Sequence, residues 1–188
     1  MKKRFPLFLA LVLVFLACTR KEAPKLPPYA AYTFQDQNGK TVSFDTFKGK
    51  PTFVSFIFTR CPMPEMCPLT MQKTKKVYEK AKAEGLSTHF VILTIDPEFD
   101  TPEVMAEYAK RYQLNLSDFT LLTGTDETVS KIASELANVV AIPSAKYITH
   151  NVKSVLLDSQ LEVVEEYKDN EWKPEDAVAK MKTLTAAE

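Results

Sequence analysis

Three features that are absent from this sequence, or scarce in it, limit the functions it can have. Its 24 Lys and Arg residues balance 24 Asp and Glu residues, so the formal net charge is zero, and charges of both signs are interspersed. The sequence therefore offers no basic face of the kind that binds nucleic acid. It holds no internal repeat with a period of about 20 to 50 residues, the signature of solenoids and propellers. With three Cys and two His, it has no room for a binuclear metal centre within one chain.

The N terminus carries an apolar run, residues 5–17, after a basic segment at residues 2–4. The run is shorter than the about 20 residues that span a bilayer as a helix, and it has the form of an export signal. Its end, Phe15-Leu16-Ala17-Cys18, resembles the lipobox of bacterial lipoproteins, in which the cysteine becomes the lipidated N terminus. The alternative is an ordinary signal peptide or a short anchor with an incidental Cys18.

These features divide the chain into three parts. We predict an export signal over residues 1–17, a charged and proline-rich tether over residues 18–29, and one domain over residues 30–188. A domain of that length can bury a real core.

The stretch at residues 51–72 contains the other two cysteines. An apolar segment rich in β-branched and aromatic residues, 52–58, predicts a buried strand. Cys61 and Cys67 follow in a proline-studded turn, and Pro68 sits where a helix can begin. Because a helix N terminus carries partial positive charge, we expect both thiols to be reactive. The pattern indicates a redox or soft-metal site.

A disulfide between Cys61 and Cys67 would close only a short loop. By chain entropy such a bridge adds about 2 kcal/mol to stability, so chemistry is a better reason for the pair than stabilisation. A plain surface disulfide remains the structural alternative.

Hydrophobic patterning predicts the order β-α-β, then helices, then β-β-α. This order is that of an α/β protein with a thioredoxin-like fold, extended by an N-terminal β-hairpin and an inserted helical segment. The predicted elements are a hairpin at 31–34 and 41–44, strands at 52–58 and 89–95, a helix at 68–84, a helix from 102, a minor strand at 120–122, a helix around 129–136, a hairpin at 153–157 and 163–167, and a helix at 174–185.

Three ordered motifs within residues 32–167 resemble the Sco/SenC family, copper-binding thioredoxin-like proteins that help to assemble cytochrome c oxidase. The motifs are Phe58-Thr59-Arg60-Cys61-Pro62 with Cys67-Pro68, the segment at 94–102 (TIDPEFDTP), and His150 shortly before an apolar strand. The family usually has three residues between its cysteines, whereas this chain has five. We therefore expect Cys61 on a loop and Cys67 near the helix start. The thiols can still converge, because so short a turn keeps its ends close.

The resemblance implies a function and a site. It implies one copper ion, Cu(I) or Cu(II), held by Cys61, Cys67 and His150, and handed to a cytochrome c oxidase subunit that carries a copper site. With the export signal and Cys18, it implies a lipid-anchored protein in the periplasm or on another extracytoplasmic face. Asp96, at the end of the second strand, is a candidate to hydrogen-bond a ligand. The alternative is that it caps its own loop, the role that we expect of Asp100.

Two other functions stay open. The paired thiols near a helix end also suit a thiol–disulfide oxidoreductase that acts on a partner's cysteines, although the two-residue spacing usual for such enzymes is absent. A copper or redox sensor without a delivery function is the third interpretation. A peroxidase is disfavoured, because no Thr-x-x-Cys arrangement precedes Cys61.

Overall fold

The computed structural model describes residues 25–139, 141–143, 148–151 and 153–185, and for residues 141–143 and 148–150 it describes the backbone alone. The elements are β1 (Thr33–Asp36), β2 (Thr41–Ser43), β3 (Thr52–Ile57), α1 (Cys67–Ala83), β4 (His89–Thr94), α2 (Pro102–Arg111), β5 (Phe119–Thr123), α3 (Asp126–Ala137), β6 (Ala141–Pro143), β7 (Ile148–His150), β8 (Lys153–Leu157), β9 (Val163–Lys168) and α4 (Pro174–Thr185), with short 3-10 helices at Pro28–Ala31 and Phe44–Phe47.

Strands β3 and β4 form the centre of the molecule. Every residue of β3 is buried, and so is every residue of β4 after His89, because both faces of these strands are covered. They pair in parallel, and β5 continues the parallel arrangement beyond β4. The larger of the two described sheets has seven strands in the order β2-β1-β5-β4-β3-β8-β9, and β6 and β7 form the other. The α/β class and the helix that joins the two central strands agree with the sequence prediction.

The N-terminal hairpin extends this sheet. Gly39 has a φ of 74°, the left-handed conformation that its turn requires, and its N–H donates to the Asp36 carbonyl at 2.9 Å. Strand β1 then pairs antiparallel with β5, placing Gln35 opposite Thr123. The strand predicted as minor at residues 120–122 is longer, and it lies inside the sheet between the hairpin and β4.

The helices begin and end at the residues that favour their termini. Helix α1 starts at Cys67, one residue before the prediction, and ends before Gly85, whose φ is 72°. Thr101 caps α2 by accepting a hydrogen bond from the Val104 N–H at 3.4 Å. Helix α1 packs against β3 and α4, α2 against β5, and α3 against β8. No described helix is long and apolar enough to cross a membrane.

The parallel pairing of β3 and β4 determines where the site lies. Ile57 and Thr94, the last residues of the two strands, are directly paired. The loop at residues 58–66 and the loop at residues 95–101 therefore leave the sheet side by side, at one edge. The first of these loops carries Cys61 and leads into Cys67.

Candidate metal and redox site

The cysteine loop is held closed by its own backbone. The Cys61 N–H donates to the Phe58 carbonyl at 3.3 Å, and the Met66 N–H donates to the Met63 carbonyl at 3.1 Å. These two turns shorten the path between the end of β3 and the start of α1. Cys61 lies on the loop and Cys67 is the first residue of α1, as the five-residue gap predicted.

The two thiols meet. No disulfide joins Cys61 to Cys67 in the structure, and their side chains are close enough to share a hydrogen bond. Their environments differ, because Cys67 is 1% exposed whereas Cys61 is half-buried. The convergence expected from so short a turn is therefore present, and one cysteine of the pair is partly exposed to solvent.

The expectation that both thiols would be activated by the helix is wrong for Cys67. Burial raises the pKa of the Cys67 thiol, and only in part do hydrogen bonds from the backbone of Phe58 and of Cys67 itself lower it. The desolvation of a thiolate among apolar side chains outweighs the partial positive charge of the α1 N terminus. A cation that coordinates the sulfur can still displace the proton, because coordination deprotonates thiols.

Asp96 lies in the loop after β4, two residues beyond the last residue of the strand and close to its predicted position, and its carboxylate holds Arg60. The Arg60 Nε donates to Asp96 Oδ2 at 2.6 Å and its Nη2 donates to Oδ1 at 3.3 Å. The guanidinium also lies 4.6 Å from the ring centroid of Phe99. Since Arg60 directly precedes Cys61, Asp96 reaches the cysteine loop through Arg60. A direct role of Asp96 beside a bound metal stays a prediction.

Asp100 is a site residue that sequence reasoning treated only as a loop cap. It is fully buried and accepts hydrogen bonds from the Thr59 N–H at 3.0 Å and from the Thr94 hydroxyl at 2.5 Å, as well as from the Thr59 hydroxyl. It thus ties the loop after β3 to the end of β4. Burial raises the pKa of its carboxyl, and these hydrogen bonds oppose the rise. The sequence did contain a signal for this role, because a threonine lies at or near the end of each strand, Thr94 in β4 and Thr59 after β3.

His150 ends β7, where its backbone pairs with that of Ala141. Its side chain lies outside the described part of the structure, so its predicted role as third ligand stays a prediction. Cys18 also lies outside the described residues. Within those residues, no group of three His, Cys, Asp or Glu side chains is arranged to hold a metal ion. Of the three predicted ligands, Cys61 and Cys67 are those whose side chains the structure describes.

The chain after His150 is anchored to the end of α3. The Asn151 amide donates to the Asn138 carbonyl at 3.1 Å. Lys153, which is 7% exposed, donates to the Ala137 carbonyl and pairs with Glu166 at 3.1 Å. These contacts fix the start of β8, the strand that lies beside β3 in the sheet.

Comparison with known proteins identifies the family. The sequence profile of the SCO1/SenC family matches residues 20–186, which is most of the chain. This chain belongs to the SCO1/SenC family. The SCO1 protein homolog of Bacillus subtilis (strain 168) is 33% identical over 97 residues, which are 52% of this chain and 49% of that relative. The chain thus spans about half the length of the curated relatives that it matches first.

Solved structures of Sco proteins share the fold. A SCO1/SenC family lipoprotein from Bacillus anthracis str. Ames matches with a TM-score of 0.76 and 27% identity, covering 82% of this chain and 92% of that one. BsSco, described as a member of the Sco family of cytochrome c oxidase assembly proteins with a disulfide switch, matches with a TM-score of 0.73 and 25% identity, covering 87% and 99%. Copper-bound ScoI of Bradyrhizobium japonicum matches with a TM-score of 0.62 and 25% identity, covering 81% and 96%. The predicted thioredoxin-like fold is confirmed.

Proposed function

We propose that this chain binds one copper ion as cargo and delivers it during the assembly of cytochrome c oxidase, with Cys61, Cys67 and His150 as the ligands. The observation that carries the proposal is the proximity of two free cysteine side chains at the sheet edge, in a member of the SCO1/SenC family. Two of the solved Sco structures support it, one as a copper complex and the other as an oxidase assembly protein.

The donor set suits copper. Thiolate sulfur favours Cu(I), and an imidazole nitrogen helps to hold Cu(II), so two thiolates and one imidazole accommodate both oxidation states. Zinc accepts the same ligand types and is the natural competitor. Selectivity for copper therefore depends on the number and geometry of the ligands as well as on their softness.

The unequal burial of the thiols gives them separate tasks. The half-buried Cys61 is the sulfur that solvent and an incoming copper ion reach first. Cys67, at 1% exposure, completes the site by losing its proton to solvent as the metal binds. In the reverse direction, a partner's ligands would replace Cys61 first, because Cys61 is the more exposed of the two cysteines. The recipient is an oxidase subunit with a copper site.

A titration of the reduced full chain with Cu(II) tests this function. We expect a strong thiolate-to-copper absorption that saturates at one equivalent and disappears when Cys61→Ser and Cys67→Ser are combined. Cys18→Ser is the matched control, because it removes the remaining cysteine and leaves the site intact. His150→Ala should weaken Cu(II) binding more than Cu(I) binding. An absorption that survives the double substitution would overturn the proposal.

A second candidate function is thiol–disulfide exchange with a partner protein. The hydrogen-bonded thiol pair with one accessible member favours it, and BsSco provides a relative with a disulfide switch. The Cys61 thiolate would attack a partner disulfide and release one partner thiolate. The Cys67 thiolate would then attack Cys61, release the second partner thiolate and leave a Cys61–Cys67 disulfide. Two electrons pass to the partner.

This second function can be tested by trapping the mixed disulfide that the first step forms. With Cys67→Ser the second step cannot occur, so a mixed disulfide between Cys61 and the partner should accumulate, and Cys61→Ser should abolish it. If the reduction potential of the pair lies too high for it to reduce any partner disulfide of its compartment, only the metal function remains.

The N-terminal segment and one structural relative support the proposed location of the protein. The lipobox-like segment before Cys18 and the lipoprotein among the solved structures support an anchored protein on an extracytoplasmic face, in the periplasm where there is one. In this arrangement the segment at residues 18–29 would tether the domain to the membrane.

A further inference from the structure

The turn between β9 and α4 lies against the cysteine loop, although about one hundred residues separate the two in sequence. Asp169 and Asn170, at the start of this turn, have φ values of 54° and 55°. Asparagine adopts this left-handed conformation at lower cost than most residues. The turn thereby presents the Asn170 side chain to the segment that precedes Cys67.

The Asn170 side chain spans the end of the cysteine loop and the first turn of α1. Its Nδ2 donates to the Glu65 carbonyl at 3.1 Å and to the Met66 carbonyl at 3.2 Å. The same amide lies within hydrogen-bond distance of the buried Thr70 hydroxyl, with Nδ2 at 3.0 Å and Oδ1 at 3.2 Å. One amide therefore contacts the loop and the helix that carry the two cysteines.

The Met66 carbonyl is the position at which these bonds converge. Besides Asn170 Nδ2, it accepts hydrogen bonds from the Thr70 N–H at 2.9 Å and from the Thr70 hydroxyl at 3.1 Å. Met66 immediately precedes Cys67 and occupies the position before α1. Because the Met66–Cys67 peptide is fixed at this carbonyl, the direction in which the Cys67 side chain leaves the backbone is fixed with it.

Lys73 holds the turn itself in place. Its Nζ donates to the Asn170 carbonyl and to the Trp172 carbonyl, the latter at 2.6 Å, and lies 5.0 Å from the centroid of the Trp172 ring. Lys73 belongs to α1, as do Cys67 and Thr70. The turn is thus bound to α1 from one side while the Asn170 amide binds the loop from the other.

We propose that Asn170 is a positioning residue for the Cys61–Cys67 pair, acting through the carbonyls of Glu65 and Met66. It holds the loop in the conformation that brings the sulfurs together, and so it sets how readily they share a metal or form a disulfide. The part of this inference that concerns metal binding rests on the proposed function. The part that concerns disulfide formation does not require copper.

The test compares three variants of the full chain. Asn170→Gly keeps a residue that tolerates a positive φ and deletes the amide. Asn170→Asp keeps the size and turn preference of the side chain. It replaces the Nδ2 donor by a carboxylate oxygen, which cannot donate to the carbonyls of Glu65 and Met66. Asp169→Gly is the matched control, because Asp169 has nearly the same φ and an exposed side chain.

Each protein is equilibrated with glutathione and glutathione disulfide, and the fraction with a Cys61–Cys67 disulfide is measured. In this reaction two thiols give two electrons and two protons to one glutathione disulfide, which becomes two glutathione thiols. We expect the equilibrium constant to fall about tenfold in Asn170→Gly and in Asn170→Asp, the loss expected when about 1.4 kcal/mol of loop hydrogen bonding disappears. Asp169→Gly should match the wild type. The affinity for Cu(II) should likewise be lower in Asn170→Gly and in Asn170→Asp and unchanged in Asp169→Gly.

The outcomes separate this inference from the proposed function. A merely structural Asn170 would lower the urea midpoint and leave the disulfide equilibrium and Cu(II) affinity of the folded protein unchanged, which would overturn the inference. A shifted disulfide equilibrium in a chain whose wild type binds no copper would uphold the positioning role and refute the copper function. Should Asn170→Gly fail to fold, Asn170→Asp decides by the same equilibrium.

Discussion

At the scale of single residues, the site consists of two cysteines made unequal by their surroundings. Cys61 lies on a loop with part of its surface in water, whereas Cys67 opens a helix and is 1% exposed. Burial raises the pKa of Cys67, so the metal-free protein holds that sulfur as a thiol. A hydrogen-bonded pair with one accessible and one protected sulfur suits a site that must accept a ligand and release it again.

This inequality predicts selective alkylation. When the reduced, metal-free protein is treated with iodoacetamide at pH 8, Cys61 should react at least about tenfold faster than Cys67, because reaction needs an accessible thiolate. Peptide mass spectrometry after timed quenching measures both rates. In urea the two rates should converge, which provides the control. Equal rates in the folded protein would contradict the burial of Cys67.

At the scale of elements, the site depends on how the ends of β3 and β4 are joined. The buried Asp100 accepts hydrogen bonds from Thr59 and Thr94, and Asp96 holds Arg60. Both acids come from the loop after β4 and act on the loop after β3. The loop that carries Cys61 is therefore supported by a neighbouring loop as well as by its own turns.

The raised pKa of Asp100 predicts a pH dependence of stability. Burial makes the folded protein hold this proton more tightly than the unfolded chain, so protonation stabilises the fold. That contribution is complete below about pH 3.9, the ordinary pKa of Asp, and is lost as the pH rises through the folded value. The unfolding free energy of the wild type minus that of Asp100→Asn should therefore fall as the pH rises from about 4 to a plateau.

Urea denaturation of the two proteins at matched pH values measures this difference. Its slope cannot exceed about 1.4 kcal/mol per pH unit for one proton. The subtraction removes the contributions of other carboxylates, several of which have lowered pKa values, such as Asp118 and Glu127. A difference that rises with pH would show that the hydrogen bonds to Asp100 outweigh its burial.

The elements that the sequence predicted well are those that local pattern determines. The apolar runs of β3 and β4 predicted buried strands whose ends are correct to one residue, and the predicted helix end at residue 84 and helix start at residue 102 are correct to one residue as well. The position of β5 beside β1 was not predictable, because that pairing joins distant segments. For the same reason, no local signal connects Asn170 with Met66.

In the candidate site, too, the features set by local sequence were predictable and those set by tertiary packing were not. The short spacing of Cys61 and Cys67 was enough to predict that the thiols converge. The burial of Cys67 depends on tertiary packing, which the helix-end argument did not include. Asp100 was read as a loop cap because its partners, Thr59 and Thr94, come from two different strand ends.

At the scale of the whole molecule, we predict that an export segment and a tether precede the domain, whose pair of cysteines lies at one edge of the sheet. Within this arrangement Cys18 is predicted to carry lipid. When the full chain is produced in bacteria fed radiolabelled palmitate, the wild type should incorporate the label and Cys18→Ser should not, whereas Cys61→Ser should label as the wild type does. Label retained in Cys18→Ser would contradict the lipoprotein prediction.

The central claim is that Cys61 and Cys67 together hold one copper ion, and X-ray absorption at the copper edge of the copper-loaded, reduced protein tests it most directly. The account predicts two sulfur atoms and imidazole nitrogen bound to each copper. One sulfur should be lost in Cys61→Ser and the imidazole in His150→Ala. A copper bound only by nitrogen and oxygen, or a sulfur count unchanged in Cys61→Ser, would contradict it.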